Sequence, residues 1–229
     1  ATVAHASFIP VSAPGLVGEV DHAKIMQGWY SPATPWAATG VRTDGAGNPI
    51  DFSNGALIAT RLSDTGFGGV LDAWAANIAS ADDQLWTAPQ IEVTAVARYA
   101  SYEQEFGYSL NGGAFTSLLA VNGSGMAVTG DGNLALAPGD TLSWIRTGPQ
   151  GGTWSSVVAD NADGFDHMVS YQVTGLGDGW KRYLLFWEDL RNGGDRDFND
   201  LVVEIAVVPE PASLLLVALG GLALRWRRA

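Results

Sequence analysis

The chain has 229 residues, 47% of them hydrophobic, with no cysteine and a formal net charge of −12. The lack of cysteine excludes a disulfide framework, thiol catalysis and zinc–thiolate sites. So acidic a surface repels nucleic acid and anionic lipid and makes cations the natural partners. The 29 Gly and 9 Trp predict many tight turns and large aromatic contacts, a composition that suits an all-β exported module.

Ala4-His5-Ala6 fits the small-x-small pattern that precedes a signal-peptidase cut, so residues 1–6 are expected to be the end of a signal peptide. Residues 7–208 then form the β domain, large enough for one sandwich or two small units. Its first part is the least regular. Gly28-Trp29-Tyr30-Ser31-Pro32 and Thr34-Pro35-Trp36 read as loops with aromatic plugs, and 71–78 fits a short helix or a strand equally well. From residue 90 to 208 the pattern sharpens. Ile91, Val93, Ala95 and Ala97 alternate with Glu92, Thr94, Val96 and Arg98, the period of a strand. Residues 105–110 give the next strand. Asn111-Gly112-Gly113 is a hairpin signal, because these residues accept the positive φ that two-residue turns require. Residues 114–121 return. Asn122-Gly123-Ser124-Gly125 and Gly130-Asp131-Gly132-Asn133 read as further turns. Strands follow over 141–145, 168–173, 182–187 and 201–208. This spacing predicts an antiparallel β-sandwich or jelly roll.

Between the last two strands lies Glu188-Asp189-Leu190-Arg191-Asn192-Gly193-Gly194-Asp195-Arg196-Asp197-Phe198-Asn199-Asp200, with five carboxylates in thirteen residues. Like charges this dense cost stability unless a cation offsets them. Glu188 and Asp189 end one strand and Asp200 starts the next, so they are expected to face each other across the hairpin base. Asp195, Asp197 and Asn199 add loop oxygens. Calcium takes six to eight hard oxygen ligands in flexible geometry, which such a loop can offer. The spacing is not that of an EF-hand, because Asp200 stands where that loop needs Gly and Ala206 where it needs Glu. The same residues also suit a purely structural role, as caps and Asx turns with Arg191 and Arg196 pairing to the acids. Asp163 and Asp166, in a second oxygen-rich turn, either complete the site or are solvated. His167 beside Asp166 reads as a structural imidazole. Alternation on the last strand puts Leu201, Val203, Ile205 and Val207 on the core face, and Glu204 and Asp200 toward solvent. Most of the tryptophans are expected in the core, although an exposed one can stack on a sugar ring.

Pro209-Glu210-Pro211 ends the domain, and the uncharged run 212–224 precedes Arg225-Trp226-Arg227-Arg228. As a short C-terminal hydrophobic helix the run reaches about 20 Å, less than the ~30 Å hydrocarbon core. Flanking Trp and Arg side chains can snorkel to extend it. The arginines stay cytoplasmic, which places the body outside.

This tail, residues 209–229, resembles the PEP-CTERM sorting signal of Gram-negative bacteria. The resemblance implies a sorting protease or transpeptidase of the exosortase type as partner. It also implies tethering to the inner membrane, then residence in the cell envelope or extracellular matrix. Phe186-Trp187-Glu188-Asp189-Leu190, the glycine loop and Asp195-Arg196-Asp197-Phe198-Asn199-Asp200-Leu201-Val202-Val203 resemble the closing signature of a domain-of-unknown-function family of bacterial extracellular proteins. That resemblance implies a calcium-stabilised all-β extracellular module with adhesive or matrix roles in some members and no established enzyme activity. The leading reading is a calcium-binding module of the cell envelope or exopolysaccharide matrix, with extracellular polysaccharide or a surface protein as partner. The competing reading is a glycan-active enzyme on a jelly roll. It needs two carboxylates about 5–10 Å apart in a cleft, with Glu92, Glu103 and Glu105 as candidates.

Overall fold

The computed structural model describes residues 8–16, 18–30, 50–52, 57–62, 70–74, 82–149 and 152–208. The first residues of the chain, Trp36 and the C-terminal apolar run lie outside them. Among the described residues no helix is long and apolar enough to cross a membrane.

Among the described residues one α-helix, α1 (His22–Tyr30), precedes fourteen strands. In chain order these are β1 (Ile50–Phe52), β2 (Leu57–Arg61), β3 (Val70–Asp72), β4 (Leu85–Thr87), β5 (Gln90–Ala97), β6 (Gln104–Leu110) and β7 (Phe115–Ser124). They continue as β8 (Ala127–Thr129), β9 (Asp131–Ala135), β10 (Leu142–Thr147), β11 (Trp154–Ser155), β12 (Met168–Thr174), β13 (Lys181–Trp187) and β14 (Leu201–Val207). One sheet has the order β1-β2-β12-β13-β14-β5-β9. The other runs β3-β4-β10-β6-β7-β8, with β11 on β10. Among the described residues all pairings are antiparallel except β3 with β4. The result is the all-β sandwich that the strand spacing predicted.

The space between the sheets is filled by large rings. Trp86 meets Tyr183 edge-on at 5.0 Å, and Phe106 stacks on Trp144 at 5.4 Å. Leu201, Val203, Ile205 and Val207 point into this core, as alternation required. A second core lies on the opposite face of β12–β14. There Ile25 and Met26 of α1 pack with Val169, Tyr171, Leu184, Phe186 and Val202. These central strands are therefore buried on both faces, which is why β14 is buried along its whole length. By contrast β9 alternates between exposed and half-buried residues.

That second core corrects three expectations. Residues 28–30 close a helix rather than a loop. Glu204 does lie opposite the core strand residues, but α1 covers that face and leaves the carboxylate 5% exposed. It is compensated by Arg182 Nη1 at 2.6 Å, Trp29 Nε1 at 3.0 Å and the Tyr30 hydroxyl. Hydrogen bonds to a charged group contribute about 1.5–3 kcal/mol each, so the cluster also fastens the helix to the sheet. Asp200 is likewise part-buried rather than open to solvent.

A fourth correction concerns the two glycine-rich stretches read as turns: residues 122–124 still belong to β7, and residues 131–133 form the start of β9. The chain changes sheets at Gly130, whose φ is +155°. A Cβ there would come within 3.0 Å of the Ala120 carbonyl oxygen and 3.2 Å of Leu119. Glycine serves here as the point of close approach between the layers, not as turn chemistry. The Asn111-Gly112 hairpin, by contrast, forms as read, with Asn111 at φ 52° and Gly113 N–H donating to Leu110 O at 2.9 Å. The 71–78 segment begins as strand β3, and its remainder past Trp74 lies outside the described residues.

Candidate metal centre

The hairpin between β13 and β14 starts where Trp187 pairs with Leu201. A single 3-10 turn, Arg191–Gly193, reverses the chain. Asn192, Arg196 and Phe198 all have positive φ between 53° and 65°. Such backbone costs on the order of 1 kcal/mol per non-glycine residue. It persists because Phe198 is fully buried in the second core. Gly194 sits against the Glu188 carboxylate so closely that a Cβ would overlap Oε1. The loop thus wraps around an acid rather than turning away from it.

The predicted oxygen ligands separate into two groups. Oxygens of Glu188, Asp189 and Asp200 lie within 4.8 Å of one another at the hairpin base. A second group of the same compactness joins Asp195 and Asp197 to Glu19, from the segment before α1. Asn199 lies beside the second group. Its amide donates to Asp197 Oδ2 at 3.0 Å and to the Val20 carbonyl at 3.3 Å, bracing the loop against the N-terminal segment. Asp163 and Asp166 stand outside both groups. Asp163 accepts from the Asn192 N–H at 2.7 Å and the Phe165 N–H at 3.1 Å. Asp166 accepts from the Met168 N–H at 3.1 Å.

The base group is built into the fold. Asp200 accepts from the Asp189 N–H at 2.8 Å, and Glu188 accepts from the N–H groups of Leu190 and Arg196 at 3.2 and 3.1 Å. Asp189 takes Gln104 Nε2 at 2.8 Å and Arg146 Nη2 at 3.4 Å. Arg146 is fully buried, and it also bonds Gln104 Oε1 and the Gly152 carbonyl. The pairing arginine therefore comes from β10, not from the hairpin. Arg196 instead lays its guanidinium 5.2 Å from the centre of the Phe165 ring. Neither Gln104 nor Arg146 carries a sequence signal that ties it to the acids.

Even with this guanidinium, the acids resist ionisation. Burial, opposed in part by hydrogen bonds, raises Glu188 to about 7. Burial and the charges of Asp189 and Glu188 raise Asp200 to about 9. Asp189 moves the same way, mainly through burial, against the pull of Arg146. In the second group burial and then Asp195 raise Asp197 to about 7. There Glu19 Oε2 is buried with no hydrogen-bond partner among the described residues.

The two described histidines are structural. His167 lies flat on Trp154 at 3.8 Å, with Nδ1 donating to the Glu188 carbonyl at 2.9 Å and Nε2 facing Asp163 at 3.1 Å. His22 Nε2 donates to the Asp197 carbonyl at 2.8 Å, and burial pushes its pKa down to about 3. A separate cleft of about 690 Å³ is lined by Arg98, Glu103, Glu105, Asn122 and Thr147 among others, and none of its lining residues is aromatic. Trp86, Trp144, Trp154 and Trp187 are core residues, while Trp74 is 37% exposed.

Residues 110–207 match the domain of unknown function DUF4114. Residues 207–229 match the PEP-CTERM protein-sorting motif. The chain thus carries a DUF4114 domain followed directly by a PEP-CTERM sorting motif. That motif marks export and a membrane-anchored sorting tail in Gram-negative bacteria and implies processing by an exosortase. No curated protein matches the chain. Among solved structures it is similar to the Ralstonia solanacearum high-affinity mannose-binding lectin, at 20% identity and a TM-score of 0.38, over 57% of this chain and 100% of that one. It is also similar to the Chromobacterium violaceum lectin CV2L in complex with alpha-methyl-fucoside, at 17% identity and a TM-score of 0.39, with the same coverage. Likenesses of this degree carry no argument about what this chain binds.

Proposed function

We propose that this protein is an exported calcium-binding β module with a binding or structural role in the cell envelope or exopolysaccharide matrix. The observation that carries the reading is the compact group of Glu188, Asp189 and Asp200 at the hairpin base. When all three are ionised, three carboxylates against one guanidinium leave two negative charges, which a divalent cation cancels. The donor set is all oxygen and fits calcium rather than a softer metal. The Gly194 cradle keeps Glu188 aimed at the group. Asp195 and Asp197, with Glu19, form a second and more open place for a cation. The sorting tail supports the envelope setting, and polysaccharide or a surface protein is the partner class to screen on glycan arrays. The glycan-active enzyme is the weaker alternative, because the cleft holding Glu103 and Glu105 lacks an aromatic platform.

Thermal melting with calcium tests the metal. A ligand at a hundred times its dissociation constant stabilises by about 2.7 kcal/mol. At about 2–4 °C per kcal/mol the midpoint should rise by roughly 5–10 °C, and EDTA should reverse it. Asp200→Asn should remove the calcium shift while raising the midpoint in EDTA, since an amide escapes the cost of burying a group that is ionised in the unfolded chain. An unchanged midpoint after prolonged EDTA dialysis would sink the metal reading.

A further inference from the structure

β14 ends at Val207, and the Val208 N–H still donates to the Gln90 carbonyl at 3.1 Å. The apolar run begins only four residues later, at Ala212. Four residue steps of at most about 3.6 Å span no more than about 14 Å. The polar layer of one leaflet is itself about 5–8 Å deep. Whatever path those residues take, the end of the sandwich where β14 stops lies at the membrane surface while the tail is in the bilayer.

The chemistry of that end fits. Lys181 pairs with Val207 in register, and its Nζ lies 5.9 Å from the centre of the Trp74 ring. Trp74 is held there by its neighbour Ala73, whose carbonyl accepts the Tyr183 hydroxyl at 2.7 Å. Trp180 is half-buried beneath the Arg182 guanidinium at 5.1 Å. The nearby Asp178 is held by Arg182 at 2.7 Å. Tryptophan with lysine or arginine is the side-chain chemistry of the bilayer interface. The acidic hairpin leaves the opposite end of the same strand, about 20 Å away at roughly 3.3 Å per residue. That exceeds the Debye length of about 8 Å at physiological salt, so its charge is screened from anionic headgroups.

We propose that the β14 exit end, with Trp74, Trp180 and Lys181, is a surface that rests on lipid headgroups and holds the acidic hairpin outward; this rests on the tail acting as the membrane anchor. The absence of cysteine allows clean single-site labelling of the full chain. Thr174→Cys marks the membrane end, since Thr174 follows the Val173 that pairs with Arg182. Arg191→Cys marks the hairpin. Each labelled chain is reconstituted into vesicles of phosphatidylethanolamine and phosphatidylglycerol doped with a headgroup-nitroxide lipid. Flotation with the vesicles and several-fold stronger fluorescence quenching at position 174 than at 191 is the expected result. A chain that floats but is quenched equally at both positions, or more at 191, overturns the surface alone. A chain that fails to float overturns the anchor and the surface with it.

Discussion

Glu188, Asp189 and Asp200 stand where two central strands end, with Arg146 and Gln104 reaching them from the other sheet. Asp195 and Asp197 stand on the loop and Glu19 before α1, and among the described residues none of the three takes part in an ion pair with an arginine, lysine or histidine. The two groups have equal formal charge and adjacent positions, yet differ in what holds them. The base group is fixed by strand register, three backbone N–H donors and a buried guanidinium. The loop group depends on an N-terminal segment and on Asn199. Acid density alone therefore does not define a site. Placement at the end of a strand supplies the rigidity that holds a constellation of side chains in place.

The largest break in this comparison should come from Arg146→Leu. It leaves Asp189 buried beside two further acids, and losing one partner of a buried pair costs about 3–5 kcal/mol. Urea unfolding measures this, and a loss below about 1 kcal/mol would mean the guanidinium is not what anchors the base group.

The pH profile sharpens the contrast next. Glu188 and Asp197 at about 7 and Asp200 at about 9 all lie above their ordinary values of 4.5, 3.8 and 3.8. The folded protein therefore keeps protons that the unfolded chain has released. The stability these groups contribute is full below about pH 4 and is lost as pH rises through 7 and toward 9. In EDTA the melting midpoint should fall across that window, and calcium should flatten the fall. A flat profile in EDTA would show that the acids are already compensated.

The smallest effect belongs to the loop group. Asp195 is exposed, and Asp195→Asn should change metal-free stability by no more than about 0.5 kcal/mol. Even Asp195→Asn with Asp197→Asn should keep most of the calcium shift when the base group is the main site. Loss of the whole shift in that double variant would reverse the ranking of the two groups.

What was legible in the sequence was local. The strands near 91–97, 105–110, 141–145, 168–173, 182–187 and 201–208, the Asn111-Gly112 turn, the acidic hairpin and the tail announce themselves by period-two alternation, turn chemistry and an uncharged run. Each is encoded within about ten neighbouring residues. Three features had no such signature. Glu204 reads as a solvent-facing residue because nothing near it reveals that α1, over 170 positions earlier in the chain, will cover that face. Gly130 reads as a turn because the close approach of Ala120 exists only once the sheets have packed. Glu19 joins Asp195, and Arg146 joins Asp189 43 positions away, only through strand order. The residue types and their alternation settled which segments become strands and which loop gathers negative charge. Which acids share a site, and which cation neutralises them, was decided by packing, because electrostatic pairing depends on distance in space and not on distance along the chain.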